Sequence, residues 1–140
     1  MPTRSADAVW KGNLKEGSGT VKTETGAVDG AYSFPSRFQD GNGTNPEELL
    51  GASHAACYSM ALSNMLAEAG HTPDSVSTTA KVHLDMSDGP KISKIELHTE
   101  GKVPGIDADT FQEHAEKAKS GCPISQALKS VEITLNAKLV

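Results

Sequence analysis

Thr44-Asn45-Pro46-Glu47-Glu48-Leu49-Leu50-Gly51-Ala52-Ser53-His54-Ala55-Ala56-Cys57-Tyr58-Ser59-Met60 is the stretch whose reading decides the fold. Asn45 is a helix N-cap residue, Pro46 suits the first helical position, and Glu48 stands where it completes a capping box. A long helix is therefore predicted from residue 46 to about residue 69, with Gly70 as its stop. Over residues 49–67 the apolar side chains fall all round the helical wheel, the pattern of a buried helix. Gly51, Ala52, Ser53, Ala55 and Ala56 are small enough to let another backbone come close. A chain of 140 residues has little else to surround such a helix, so a partner subunit is expected to supply cover.

Working outward, the segment before the helix is rich in Gly, Ser and Thr, with strands predicted at residues 8–14, 19–25 and 31–34. Lys15-Glu16-Gly17 makes a turn, and residues 39–43 a loop. After the helix, Val76, Thr78, Ala80, Val82, Leu84 and Met86 alternate with polar residues. Across the turn Ser87-Asp88-Gly89-Pro90, Ile95, Leu97 and Thr99 alternate with Lys94, Glu96, His98 and Glu100, which predicts a hairpin with one wet face. Ile92 is out of phase and marks either a bulge or a late strand start. A second helix is predicted at residues 107–119, with Phe111, Ala115 and Ala118 on one face. A short third helix starts at Cys122-Pro123 and reaches about Lys129, and a last strand follows at residues 131–139. The order gives an α+β class with an antiparallel sheet rather than a βαβ fold, in a single domain over residues 1–140.

A net charge of −5 leaves no basic face for nucleic acid or anionic lipid. The longest charge-free run is too interrupted by Gly, Ser, His and Asn for a membrane span. No N-terminal stretch carries an export pattern, so a cytoplasmic location is expected, where the two cysteines would rest reduced.

Those cysteines are Cys57, in the long helix, and Cys122, in Ser120-Gly121-Cys122-Pro123-Ile124-Ser125. A thiol in an apolar helix is most often a small hydrophobe; two in distinctive settings can also form a reversible redox pair. There is no CxxC and no zinc spacing. His54 lies three residues from Cys57, but two ligands do not make a metal site, and a satisfied core histidine is the better reading. As N-cap of the third helix, Cys122 would face free N–H groups and the positive dipole end, a setting that favours a thiolate. Cys57 gets no such help, and burial would oppose its ionisation. It needs a cation. Arginine occurs only as Arg4 and Arg37, and Arg37 sits between aromatics just before the long helix. A guanidinium there could bridge a thiolate and a carboxylate, or form an ordinary surface ion pair.

Thr44-Asn45-Pro46-Glu47-Glu48-Leu49 and Ala56-Cys57-Tyr58-Ser59-Met60-Ala61-Leu62 resemble the signature of the osmotically inducible protein C (OsmC) and organic hydroperoxide resistance (Ohr) family. Val103-Pro104-Gly105-Ile106-Asp107 and Ala118-Lys119-Ser120-Gly121-Cys122-Pro123-Ile124-Ser125 match its second signature, and the resemblance extends to Ala8-Val9-Trp10-Lys11-Gly12. It is closest to the OsmC branch. The resemblance implies an OsmC-like fold, with sheet wrapped around a long buried central helix in an intertwined homodimer. It implies that Cys57 is the peroxidatic nucleophile and Cys122 the resolving cysteine, with Arg37 and Glu47 as the assisting pair. In the OsmC branch that arginine precedes the long helix, as Arg37 does; in the Ohr branch it lies nearer the N-terminus. The helix-terminus argument alone favours Cys122 as the more acidic thiol, whereas peroxide access and a positioned cation also decide the nucleophile.

The reaction implied is reduction of organic hydroperoxides, and more weakly of hydrogen peroxide, through a Cys57 sulfenic acid and a Cys57–Cys122 disulfide. A dithiol such as a lipoyl group would be the reductant, in an oxidative or osmotic stress response, with no tightly bound cofactor. An apolar pocket around Cys57, with Met60 and Phe38 as candidate lining residues, would favour alkyl hydroperoxides over hydrogen peroxide. Glu47 and Cys57, ten residues apart on one helix, are separated by roughly 15 Å of axial rise, so the assisting pair is expected from the other subunit. The alternatives are a small-molecule-binding module with structural cysteines, and a redox-sensing stress protein without turnover. Both cysteines together with Arg37 and Glu47 favour the enzyme.

Overall fold

The computed structural model describes residues 2–140. The element order is β1 (Ala6–Lys11), β2 (Ser18–Thr23), β3 (Asp29–Tyr32), α1 (Phe34–Phe38), α2 (Pro46–Glu68), β4 (Ser75–Asp85), β5 (Lys91–Lys102), α3 (Ala108–Gly121), α4 (Pro123–Ala127) and β6 (Glu132–Leu139). Two compact units divide the chain, Met1–Leu49 and Leu50–Val140, with the first turn of α2 in the former and the rest of it in the latter.

In the first unit β1, β2 and β3 form an antiparallel sheet, with Val9 opposite Thr20 and Val21 opposite Gly30. The first strand ends before Leu14, where the alternation had carried it. Gly12 turns the chain at φ 94°, and the Asn13 side chain then caps the bend by accepting from the Glu16 N–H at 2.8 Å. The third strand likewise stops at Tyr32, because Ser33 opens the short helix α1 that the alternation had hidden. Ser33 and Ser36 form a reciprocal capping box, with N–H to Oγ distances of 2.8 and 3.2 Å.

Asn45 caps α2 as predicted, its Oδ1 accepting from the Glu48 N–H at 2.7 Å. The Glu48 carboxylate does not close the box; it accepts from the Thr44 hydroxyl at 2.8 Å. At the far end Gly70 takes φ 88°, and the His71 N–H bonds the Leu66 carbonyl at 2.8 Å, which stops the helix where expected.

In the second unit β4, β5 and β6 form one sheet. The hairpin β4–β5 is antiparallel, and the out-of-phase Ile92 is explained by a bulge: Leu84 faces Ile92 while His83 faces Lys94, leaving Ser93 extra. The expected all-antiparallel sheet is corrected by β6, which runs parallel to β5 with Ile133 beside Ile95 and Leu135 beside Leu97. A parallel pair needs a crossover of a dozen residues or more, and α3 with α4 supplies it. The β5–α3–α4–β6 segment is therefore the strand–helix–strand arrangement that the sequence reading set aside.

Ile95 and Leu97 of β5 bury one sheet face with Tyr58, Leu62 and Leu66 of α2 and Phe111, Ala115 and Ala118 of α3. Gly101 makes this closeness possible: a Cβ there would stand 2.4 Å from the Phe111 ring. Among the described residues of α2, Gly51, His54, Tyr58, Leu62 and Leu66 are buried along one face. Ala52, Ala56, Met60 and Ala67 are exposed on the other, Met60 at 76%. The helix is amphipathic in its covering though not in its composition.

Candidate active site

Two clusters hold the residues singled out by the sequence, one in each unit. In the first unit, Ser36 of α1 donates through Oγ to the Thr44 carbonyl at 2.7 Å, and Asn45 Nδ2 donates back to the Ser36 carbonyl at 3.0 Å. These bonds tie α1 to the first turn of α2 and set Arg37 against Glu47. The guanidinium makes a two-pronged fork, Nε to Oε1 at 2.9 Å and Nη2 to Oε2 at 3.1 Å. The Glu47 side chain is only 10% exposed, whereas Arg37 keeps 35%, so the carboxylate is the fixed anchor and the cation faces outward. Arg37 also stacks over Phe38, with Cζ 5.2 Å from the ring centroid. Trp10, Tyr32, Phe34, Phe38 and Arg37 line a cavity of about 220 Å³. An apolar cavity of about 150 Å³ can already hold benzene.

In the second unit, α3 ends and α4 begins at Cys122, which is at once C-cap of the one and N-cap of the other. Its N–H bonds the Ala118 carbonyl at 3.1 Å, and its Sγ accepts from the Ser125 N–H at 3.3 Å. Cys122 is fully buried and Cys57 half-buried. Burial pushes the Cys57 thiol up, the Ile124 backbone N–H acts against that, and a hydrogen bond and charge interaction with Cys122 add to the rise. The two thiols therefore lie close enough to influence one another's ionisation, although 65 residues apart in sequence, with Cys57 packed against the core cluster that contains Cys122. The first turn of α4 offers one N–H to each sulfur. Next to Cys57, the buried Tyr58 hydroxyl donates to the Ala115 carbonyl at 2.9 Å and holds α2 onto α3. Ser59 donates to Thr78 at 2.7 Å, fixing the same turn against β4.

A family model described as OsmC-like protein matches residues 39–136. The chain is 56% identical over 138 residues to the Escherichia coli K12 protein named peroxiredoxin OsmC, covering 97% of this chain and 96% of that one. The chain belongs to the OsmC family. This OsmC-family chain is also 32% identical over 116 residues to the organic hydroperoxide resistance protein of Xanthomonas axonopodis pv. citri, with 78% of each covered. Among solved structures it resembles the Legionella pneumophila organic hydroperoxide resistance protein OsmC, with a TM-score of 0.76 at 26% identity and 97% of each chain covered. It also resembles OhrB of Bacillus subtilis, with a TM-score of 0.69 at 26% identity, 97% of this chain and 98% of that chain covered.

Each predicted pair is thus assembled within its own unit of the OsmC-family fold: Arg37 with Glu47, and Cys57 with Cys122. The expected pocket around Cys57 is not formed by its two candidate lining residues: Phe38 lines the aromatic cavity beside Arg37, which does not include Cys57, and Met60 points into the open. His54 is not the satisfied core histidine of the sequence reading. Its Nε2 lies 2.7 Å from Ser125 Oγ, but the fully buried Nδ1 has no hydrogen-bond partner among the described residues. Ser125 went unnoticed in the sequence, although Cys-x-x-Ser across a helix start is a legible N-cap spacing; its link to His54 left no local trace. A larger depression of about 410 Å³ lies over β4–β6, lined by Ser77, Thr79, His98 and Lys138 among others, and holds neither thiol. No three His, Cys, Asp or Glu side chains among the described residues group to hold a metal ion, and no helix is long and apolar enough to cross a membrane.

Proposed function

We propose that this protein is a thiol-dependent peroxidase that reduces organic hydroperoxides with two cysteines. The observation that carries the reading is the adjacency of the Cys57 and Cys122 thiols at the first turn of α4. Relatives named peroxiredoxin OsmC and organic hydroperoxide resistance protein support the substrate class. Cys57 thiolate attacks the terminal peroxide oxygen, the O–O bond breaks, and the alcohol leaves after taking a proton. Cys57 is then a sulfenic acid. Cys122 attacks its sulfur, the S–O bond breaks, water is released, and a disulfide remains. An external dithiol reduces it by exchange, becoming a disulfide itself.

Burial works against the Cys57 thiolate, so the mechanism needs a positive charge at that sulfur. Arg37, anchored in its fork by Glu47, is the proposed source; it stabilises the thiolate and the charge developing on the peroxide oxygens. We assign this pair to the opposite protomer of a homodimer in which all 140 residues form one OsmC-like domain. The uncovered stripe Ala52, Ala56 and Met60 on α2 supports a partner helix there. The aromatic cavity beside Arg37 suits an alkyl or aryl hydroperoxide better than hydrogen peroxide.

Peroxide consumption with a dithiol, compared across cumene, fatty-acid and hydrogen peroxides, tests the reading. Cys57→Ser should abolish turnover, and Cys122→Ser should stop after one equivalent with a trappable sulfenic acid. Normal turnover by Cys122→Ser with the same dithiol would defeat the two-cysteine scheme.

A further inference from the structure

The thiol pair has a buried third and fourth member. Cys122 Sγ lies 3.2 Å from Ser125 Oγ, and that oxygen lies 2.7 Å from His54 Nε2. His54 and Cys122 are fully buried, and Ser125 is 3% exposed. Helix formation explains none of this chain beyond its first atom. Capping α4 requires only the bond from the Ser125 N–H to Cys122 Sγ, which is present at 3.3 Å. The hydroxyl and the imidazole are surplus to it. Nδ1 of His54 is buried with no hydrogen-bond partner among the described residues, so Ser125 Oγ is the one polar contact of the ring among them.

We propose that Ser125 and His54 form a buried proton relay for Cys122, through which the resolving thiol loses its proton as the disulfide closes. This rests on the two-cysteine reading above and assigns it a base.

In the thiol form Sγ–H donates to Ser125 Oγ, and the relay takes the tautomer of His54 in which the serine hydroxyl donates to Nε2, 2.7 Å away. The Cys122 sulfur lone pair then forms the S–S bond with the Cys57 sulfenic sulfur. The S–O bond breaks, and its electron pair leaves with hydroxide. The Cys122 proton passes to Ser125 Oγ while the serine proton passes to His54 Nε2, giving an imidazolium. The proton passes back along Ser125 to the hydroxide leaving the half-buried Cys57, so one water is formed; Cys122 is oxidised and the sulfenic sulfur reduced. Burial keeps His54 neutral, so a ring nitrogen lone pair is available to take the proton, while the same desolvation disfavours the imidazolium and makes it a transient carrier that gives the proton up again. The titratable groups facing Cys122 are Cys57 and Tyr58 of α2, and Glu116 of α3 faces Tyr58. Both α2 groups are held toward their neutral forms by burial, which leaves His54 as the buried base next in line. Ser125 touches the reacting sulfur; His54 acts through it and is a positioning residue.

The test follows disulfide closure alone. Reduced protein is mixed with one equivalent of cumene hydroperoxide, quenched in acid at intervals, and the sulfenic and disulfide forms are counted by mass spectrometry. Ser125→Ala and His54→Gln should lengthen the sulfenic acid lifetime at pH 6.5 about 100-fold, the lower end of acid–base assistance. The defect should shrink as pH rises and solvent hydroxide replaces the relay, and Ser125→Thr should restore most of the rate. Closure at the wild-type rate in both variants, or a slowing of equal size at every pH, would overturn the relay. A readout free of turnover covers poorly folding variants: the His54 ring nitrogen resonances of the reduced protein should move on Cys122→Ala, and unchanged resonances would also overturn it. If the wild type itself forms no Cys57–Cys122 disulfide while those resonances do move, the peroxidase reading fails and the hydrogen-bonded chain stands.

Discussion

Oxidising the protein with one equivalent of peroxide should make it more stable, by an amount the fold allows us to work out. The Cys57–Cys122 bond closes a loop of 65 residues. Removing that much freedom from the unfolded chain is worth about 4 kcal/mol by the loop-entropy relation. Native-state strain subtracts from this. Here the subtraction should be small, because the thiols already lie beside the same first turn of α4, one on α2 and one at the α3–α4 junction. The Cys122 Sγ can keep its bond from the Ser125 N–H, while the thiol hydrogen bond to Ser125 Oγ is lost at a cost of about 1 kcal/mol. The net expectation is a gain of about 2–4 kcal/mol, or roughly 10 °C in Tm for a chain of this size. Urea titrations of reduced and oxidised protein, at one protomer concentration, measure it; Cys122→Ser should show no gain. An oxidised wild type with its disulfide mapped, yet no more stable than the reduced form, would mean that closure distorts the fold and that the thiols are not native neighbours.

If the Arg37–Glu47 pair serves the opposite protomer, mixing inactive Cys57→Ser with inactive Arg37→Ala under subunit exchange should restore part of the activity; proven exchange without recovery would place the pair elsewhere. Asp107 caps α3, and its bond from the Thr110 N–H at 2.7 Å holds the carboxyl below its ordinary range. Its stabilisation is thus complete above the unfolded value, about 3.9, and is lost as pH falls through the lower folded value. Stability curves of wild type and Asp107→Asn should accordingly differ above pH 4 and converge below it. Gly101→Ala puts a Cβ 2.4 Å from Phe111 Cε1, against about 3.5–4.0 Å for ordinary carbon contacts, and should cost about 1–3 kcal/mol. Phe111→Leu in the same chain should recover part of that loss, and strictly additive effects in denaturation would refute the clash.

What the sequence alone determined was local or periodic. Asn45, Pro46 and Gly70 mark both ends of α2 because caps are set by one or two residues and their own backbone. The phase break at Ile92 left a bulge or a late strand start open, and the register shift between His83 and Leu84 makes it a bulge, because a period of two cannot absorb an extra residue. Even the capping role of Cys122 was readable from Pro123 beside it. The tertiary structure decided everything that joins distant segments. The parallel placement of β6 was invisible, since an alternating strand reads alike in either direction and only the crossover sets its sense. Composition made α2 look buried all round, but covering depends on what packs there, and among the described residues Ala52, Ala56 and Met60 stay exposed. His54 and Ser125 stand 71 residues apart and carry no common pattern; only the docking of α4 beside α2 brings their polar atoms within 2.7 Å.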